Sequence, residues 1–235
     1  MADFRYHADD LGYSPSSVAA VEELLTSGTL MGVSLLVNLP GFRRAVLLLR
    51  THPIPAALHV NLVEGVPVSP RGEISSLVDS QGRFFPLPVF LLRLLLGIIN
   101  KKDVELEVAA QLSKARQEGI AIVGLDSHRH THMFSPVAEI FVKLSRRYAF
   151  SNTRSYGNFQ TFTFFGSCKK LFVRLVAFLT HSLYFSQLSL PSSWKSDGSH
   201  RFLCFRSWES IALWRIKNKK GLRVVIHPGL PYDKG

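Results

Sequence analysis

Hydrophobic residues along the chain fall into short blocks of two periods, separated by glycine, proline and polar clusters. Val18, Val21, Leu24 and Leu25 recur at helical spacing behind Ser14-Pro15, and Gly28 lies just past them. A serine cap, a proline at the first helical position and a terminal glycine predict a helix there. Residues 4–7 predict a short strand before it, and the apolar run at 30–37 a buried one. The pattern continues with a helix over 41–50, a strand over 56–62, a long Gly/Pro/Ser-rich loop over 65–88, and helices over 87–99 and 104–118. A strand over 120–125, a helix over 136–148, a strand near Phe150, helices over 168–183 and 208–218, and strands over 202–205 and 222–226 complete the reading.

Strands that alternate with helices imply a mostly parallel sheet covered by helices, open or closed into a barrel. No internal repeat or domain boundary interrupts the pattern, so residues 1–235 are expected to form a single domain. Several strands end in unusually polar tips: Asp9 and Asp10, His59 and Asn61, Asp126 and His128, and His227. In a parallel sheet the carboxyl ends of the strands share one edge, where active sites gather, so distant residues are brought together.

Composition narrows the classes. Hydrophobic residues make up 46% and charged residues 19%, which suits a large core and excludes a disordered chain. The net charge of +11 would suit nucleic acid, an anionic membrane or an anionic substrate. No Lys/Arg block is longer than three residues and no aromatic-basic motif occurs, so nucleic acid is not an expected partner. Cys168 and Cys204 form no C-x-x-C pair, which argues against a zinc knuckle or a disulfide framework. The N-terminus shows no apolar leader, and the apolar run at 87–99 is shorter than the roughly 20 residues needed to cross a bilayer. A cytoplasmic protein is the default expectation.

The polar tips carry the candidate chemistry. In His128-Arg129-His130-Thr131-His132, alternate histidines of an extended segment would share one side and suit a metal; the bland alternative is a solvated loop. Asp9-Asp10 is either a helix-capping turn or a pair in which one carboxylate serves a metal and the other its water. His59 and Asn61 share one side of their strand, and Pro228 biases His227 to an extended backbone. One Asp and two His make a ligand set with room for water, while a further carboxylate and histidine supply a base and an acid. That equipment suits metal-assisted hydrolysis of an amide or ester.

Four segments sharpen this reading: His7-Ala8-Asp9-Asp10-Leu11-Gly12, Leu58-His59-Val60-Asn61-Leu62-Val63-Glu64-Gly65, Asp126 to Phe134, and His227-Pro228-Gly229. In order and over nearly the whole chain they resemble the motifs of the YdjC family, which includes deacetylases of chitooligosaccharides and of hopanoid synthesis. The resemblance implies an α/β fold of (β/α) barrel-like, distorted TIM type. It implies a divalent metal, magnesium with zinc as second choice, held by Asp10, His59 and His128. It implies Asp9 as general base and His227 as the acid that protonates the departing amine. Asn61, His130, His132 and Arg154 are expected on the substrate side, and an acetylated amino sugar is the expected substrate.

The chain departs from the usual motifs at His7, where Asn is common, at Leu11 (Phe) and at Val63 (Thr). It also ends six residues after Gly229, where relatives continue, so a truncated C-terminus is expected. Two alternatives remain: a non-catalytic sugar- or metal-binding relative, and a deacetylase of a membrane-associated glycolipid. The latter would draw a weak peripheral membrane contact from the apolar stretches at 87–99 and 171–179. A homodimer is a further open expectation.

Overall fold

Local rules set the first elements. Ser14 Oγ accepts from the Ser17 amide and Ser17 Oγ from the Ser14 amide, both at 3.1 Å, a reciprocal cap that starts helix α1 (Pro15–Thr26) behind strand β1 (Arg5–Leu11). Strand β2 (Leu30–Leu35), helix α2 (Phe42–Thr51), strand β3 (Ala56–Val60), helices α3 (Leu87–Leu95) and α4 (Lys101–Gln117), strand β4 (Ile122–Ser127) and helix α5 (Val137–Arg147) follow. Asn100 caps α4 by accepting from the Lys102 amide at 2.9 Å, which starts that helix three residues before the predicted position. Short strands β5 (Asn152–Thr153), β6 (Phe159–Gln160), β7 (Phe202–Phe205) and β8 (Arg223–Ile226) complete the order. The computed structural model describes the backbone of residues 5–28, 30–150, 152–153, 159–160, 202–205 and 223–226, and side chains within 6–28 and 30–150. The helices expected over 168–183 and 208–218 lie outside these residues.

The eight strands among the described residues run parallel in one sheet, in the order β5-β4-β3-β2-β1-β8-β7-β6. The parallel α/β expectation therefore holds. Among the described residues β5 and β6 are the two edges, so the sheet is continuous but its closure is not part of this pairing. No described helix is long and apolar enough to cross a membrane.

Register explains where the site lies. Leu11 pairs with Leu35, Leu35 with Leu58, and Leu58 with Leu125, a row of fully buried leucines across four strands. Successive strand residues face opposite ways, so the opposite face carries His7, Gly32, Ser34, Ala57, His59, Gly124 and Asp126. One face is thus an apolar packing surface and the other a polar floor with small residues set into it. Between Ala8 and Leu11 strand β1 has one residue more than its partner has between Val33 and Leu35, and Asp10 sits there with φ 59°. That bulge breaks the alternation, so Asp9 and Asp10 both reach the polar face while Leu11 returns to the leucine row.

Gly12 closes this device. Its φ is 95°, and a Cβ there would lie 2.6 Å from the Leu36 carbonyl oxygen, beside the bond from the Leu36 amide to the Leu11 carbonyl at 2.8 Å. Gly12→Ala is expected to cost about 3 kcal/mol in urea unfolding, through positive-φ strain and a backbone clash. Gly28→Ala, at φ 68° with nothing near the added carbon, should cost only about 1 kcal/mol. Equal losses would show that the close approach at Gly12 does not constrain the fold.

Candidate metal and catalytic centre

The bulge carries Asp10 Oδ1 to 2.7 Å from His128 Nδ1 and 3.2 Å from His59 Nε2. The three residues offer ligand atoms within 4.8 Å of one another, a set able to hold a metal ion. His59 and Asp126 are direct register partners on β3 and β4, and His59 Nδ1 meets Asp126 Oδ1 at 2.6 Å. Asp126 Oδ2 accepts from Ser34 Oγ at 2.5 Å, and the same hydroxyl lies 2.7 Å from His7 Nε2. An acceptor on Nδ1 keeps the proton there and leaves Nε2 of His59 to face Asp10, the arrangement typical of metal-ligating histidines. Asp9, 1% exposed, has Oδ1 3.8 Å from His7 Nε2.

At the rim, His128 Nε2 lies 3.2 Å from Glu64 Oε1, though not in line for a hydrogen bond. Arg129 donates to the same Glu64 oxygen through Nε at 2.9 Å and approaches it with a terminal nitrogen at 2.7 Å. The Tyr13 ring stands 5.8 Å from that of His128.

Charge in this cluster is strongly coupled. Burial disfavours the Asp10 carboxylate, but hydrogen bonds and charge from His128 and His59 outweigh it and hold the group far below the usual carboxylate range. Burial also disfavours a proton on His59, yet the Asp126 charge, bonds to Asp10 and Asp126, and the Asp9 charge raise it to about 10. His128 is raised against its burial by its contacts with Asp10 and Glu64. The close approach of His128 is the main reason that Glu64, against burial, falls to about 2, with Arg129 helping. Burial and Glu64 raise Tyr13.

The extended histidine segment read from the alternating pattern does not form. His128–Met133 is a 3-10 turn, and Arg129 and His130 have φ 54° and 58°, so the extended segment with three aligned histidines is not what forms. Two left-handed residues turn the chain after His128, whose Nδ1 reaches Asp10. His132 Nδ1 meets Ser127 Oγ at 2.6 Å and its ring stacks on Phe141 at 5.7 Å, so it braces the turn. The His130 ring packs edge-on to that of His132 at 6.2 Å. Asn61 is fully buried and shapes the next loop: its Oδ1 accepts from the Val63 and Glu64 amides at 3.1 Å, and its Nδ2 donates to the Glu64 carbonyl at 2.8 Å. It therefore positions Glu64 from below. Arg154 and His227 lie outside the described residues; the last residue of β8, Ile226, pairs with Ala8.

A sequence model described as YdjC-like protein matches residues 6–234. The chain belongs to the YdjC-like family. Two mammalian relatives named carbohydrate deacetylase, from Mus musculus and Homo sapiens, are 38% and 37% identical over 149 residues, 63% of this chain and 48% and 46% of theirs. A carbohydrate deacetylase of Brevibacillus brevis is 32% identical over 60% of this chain and 55% of its own. The chain thus spans about half the length of the curated relatives it matches. In fold it is similar to a protein of Enterococcus faecalis described as a candidate cellobiose-phosphate cleavage protein, with TM-score 0.68 and 19% identity over 98% of this chain and 82% of that one.

Within the YdjC-like motifs, Asp126 and Glu64 were in plain view but carried no assigned role, because only register and the Asn61 turn show what they touch. Ser34 and Tyr13 lie outside the motifs, and no sequence signal marks them.

The coupled charges make a prediction about folding in the absence of metal. Asp10 is depressed from 3.8, so its contribution is present above that value and lost as pH falls further. His59 is raised from 6.5 to about 10, so its contribution is complete below 6.5 and lost as pH rises through 10. Chelator-treated protein should therefore have its highest melting temperature between about pH 4 and 6.5. A melting temperature unchanged from pH 6.5 to 10 would mean that the Asp10–His59–Asp126 contacts do not form in solution.

Proposed function

We propose that the protein is a metal-dependent hydrolase that removes the N-acetyl group of an acetylated amino sugar, with chitooligosaccharide-type substrates the first choice. The observation that carries this reading is the convergence of Asp10, His59 and His128, with His59 held from behind by Asp126. The relatives named carbohydrate deacetylase support the substrate class. We also read the sheet as a barrel with its seam between β5 and β6, supported by a strand order that is sequential apart from the β1–β8 neighbour pair.

The donor set, one carboxylate oxygen and two imidazole nitrogens, fits a divalent cation; the family resemblance leans to magnesium, with zinc second. Such an ion supplies Lewis acidity to the acetamide carbonyl and to water. Asp10 Oδ1, His59 Nε2 and a His128 ring nitrogen would hold it. Asp126 keeps the proton of His59 on Nδ1, so that Nε2 stays a donor of electrons. Asp9, next to a ligand yet on its own side of the bulge, takes a proton from the attacking water at a carboxylate oxygen. His227, assigned from its motif, gives a proton to the amine nitrogen as the carbon–nitrogen bond breaks, leaving acetate and a free amino sugar. Tyr13, Glu64 and Arg129 at the rim orient the sugar.

Purified protein loaded with magnesium or zinc should release acetate from N-acetylated chitooligosaccharides. No release from any acetylated sugar or lipid-linked sugar overturns the reading. Asp9→Asn should keep the ion of the Asp10–His59–His128 site and lower kcat by about 100- to 10,000-fold, whereas alanine at Asp10, His59 or His128 should abolish binding at that site. Loss of metal in Asp9→Asn would instead swap the roles of the two aspartates.

Asp126→Asn separates support from ligation. It should weaken metal affinity by about 10- to 100-fold in calorimetry without removing the site. Unchanged affinity would show that His59 needs no partner on Nδ1.

A further inference from the structure

We propose that His7, Asp9 and Asp126 form a second divalent-cation site, distinct from Asp10, His59 and His128, and suited to zinc. One ligand atom from each of the three lies within 4.8 Å of the others, the same closeness as in the first set. His7 Nε2 is 3.8 Å from Asp9 Oδ1, and Ser34 Oγ joins His7 to Asp126 through contacts of 2.7 and 2.5 Å. Both carboxylates are almost wholly buried, while the His7 side chain is 23% exposed and gives a path from solvent.

The imidazole is held before any ion arrives. A Cβ on Gly32 would come within 2.9 Å of His7 Nδ1, so the ring rests on β2 where only glycine leaves room, and its Nε2 is turned to Ser34 and Asp9. The two sites share no ligand. His59 stands between them, with Nε2 toward Asp10 and Nδ1 toward Asp126. Two carboxylates and one imidazole match the mixed oxygen and nitrogen preference of zinc.

One consequence rests on the function proposed above. An ion bound to Asp9 engages the carboxylate that would otherwise take the proton from water, so filling the second site stops turnover. Zinc should then activate at low concentration and inhibit at high concentration.

Zinc titration followed by calorimetry, with metal analysis after gel filtration, tests the site itself. Wild type should hold two equivalents per chain, and His7→Asn and His128→Ala one each, with melting curves showing that both variants fold. His7→Gln, of similar reach toward Ser34, is the second variant and should also hold one. A single equivalent in wild type, or two in folded His7→Asn and His7→Gln, overturns the proposal and leaves the Ser34 contacts as a plain hydrogen-bonded bridge. In acetate release, wild type should rise and then fall with zinc, and His7→Asn should lose the fall. A wild-type curve that never falls overturns the inhibitory role. Two equivalents bound by a protein that releases no acetate would support this site while rejecting the deacetylase reading.

Discussion

The contact between His59 and Asp126, 2.6 Å across two adjacent strands and almost sealed from solvent, is the constraint on which the centre depends. Around it runs a ring of polar contacts that visits four strands: His7 on β1, Ser34 on β2, Asp126 on β4, His59 on β3 and back to Asp10 on β1. Buried polar groups are tolerable only when they satisfy one another, so moving any member would strand its neighbours. The ring therefore fixes the register of the strands on one face as the leucine row does on the other. Fold and site are specified by the same residues.

The second constraint is local and backbone-borne. Asp10 takes a left-handed conformation that few non-glycine residues adopt, and Arg129 and His130 do the same on the facing turn. These strained residues lie on either side of the Asp10–His128 contact. Strain of this kind persists where the surroundings over-determine it, and here the bulge, Gly12 and the Ser127–His132 brace supply that. Two consecutive acidic residues can then do different work, one meeting both histidines and the other buried beside His7.

Much of this was legible in the sequence. Apolar periodicity and caps located the elements through α5, and the polar strand ends predicted that Asp10, His59 and His128 would meet. The shared side expected for His128, His130 and His132 does not form, for a clear cause: alternation of like residues indicates a shared side only if the backbone is extended, and two left-handed residues remove that condition. Asn61 follows the end of β3, and its neighbours in space, not strand parity, decide that it serves the Glu64 turn. Ser34 could not be found from sequence, since its importance arises from lying between His7 and Asp126 in three dimensions.

The loop over 65–88 is long enough to suggest a moving flap, but helix α4 holds it down. Glu107, fully buried, accepts from the Val68 and Ser69 amides at 3.0 and 2.8 Å and from Gln111 Nε2 at 2.7 Å, while Gln111 also grips the backbone of Asn61. Further along, Asp103 accepts from the Ser76 amide at 2.9 Å. The segment leading from Glu64 is thus bolted to the layer behind the sheet, and its ordering entropy is spent when the chain folds rather than when a ligand binds. On this side the mouth of the centre is a fixed jamb: it selects ligands by shape already present, and a substrate must fit past it without asking it to move.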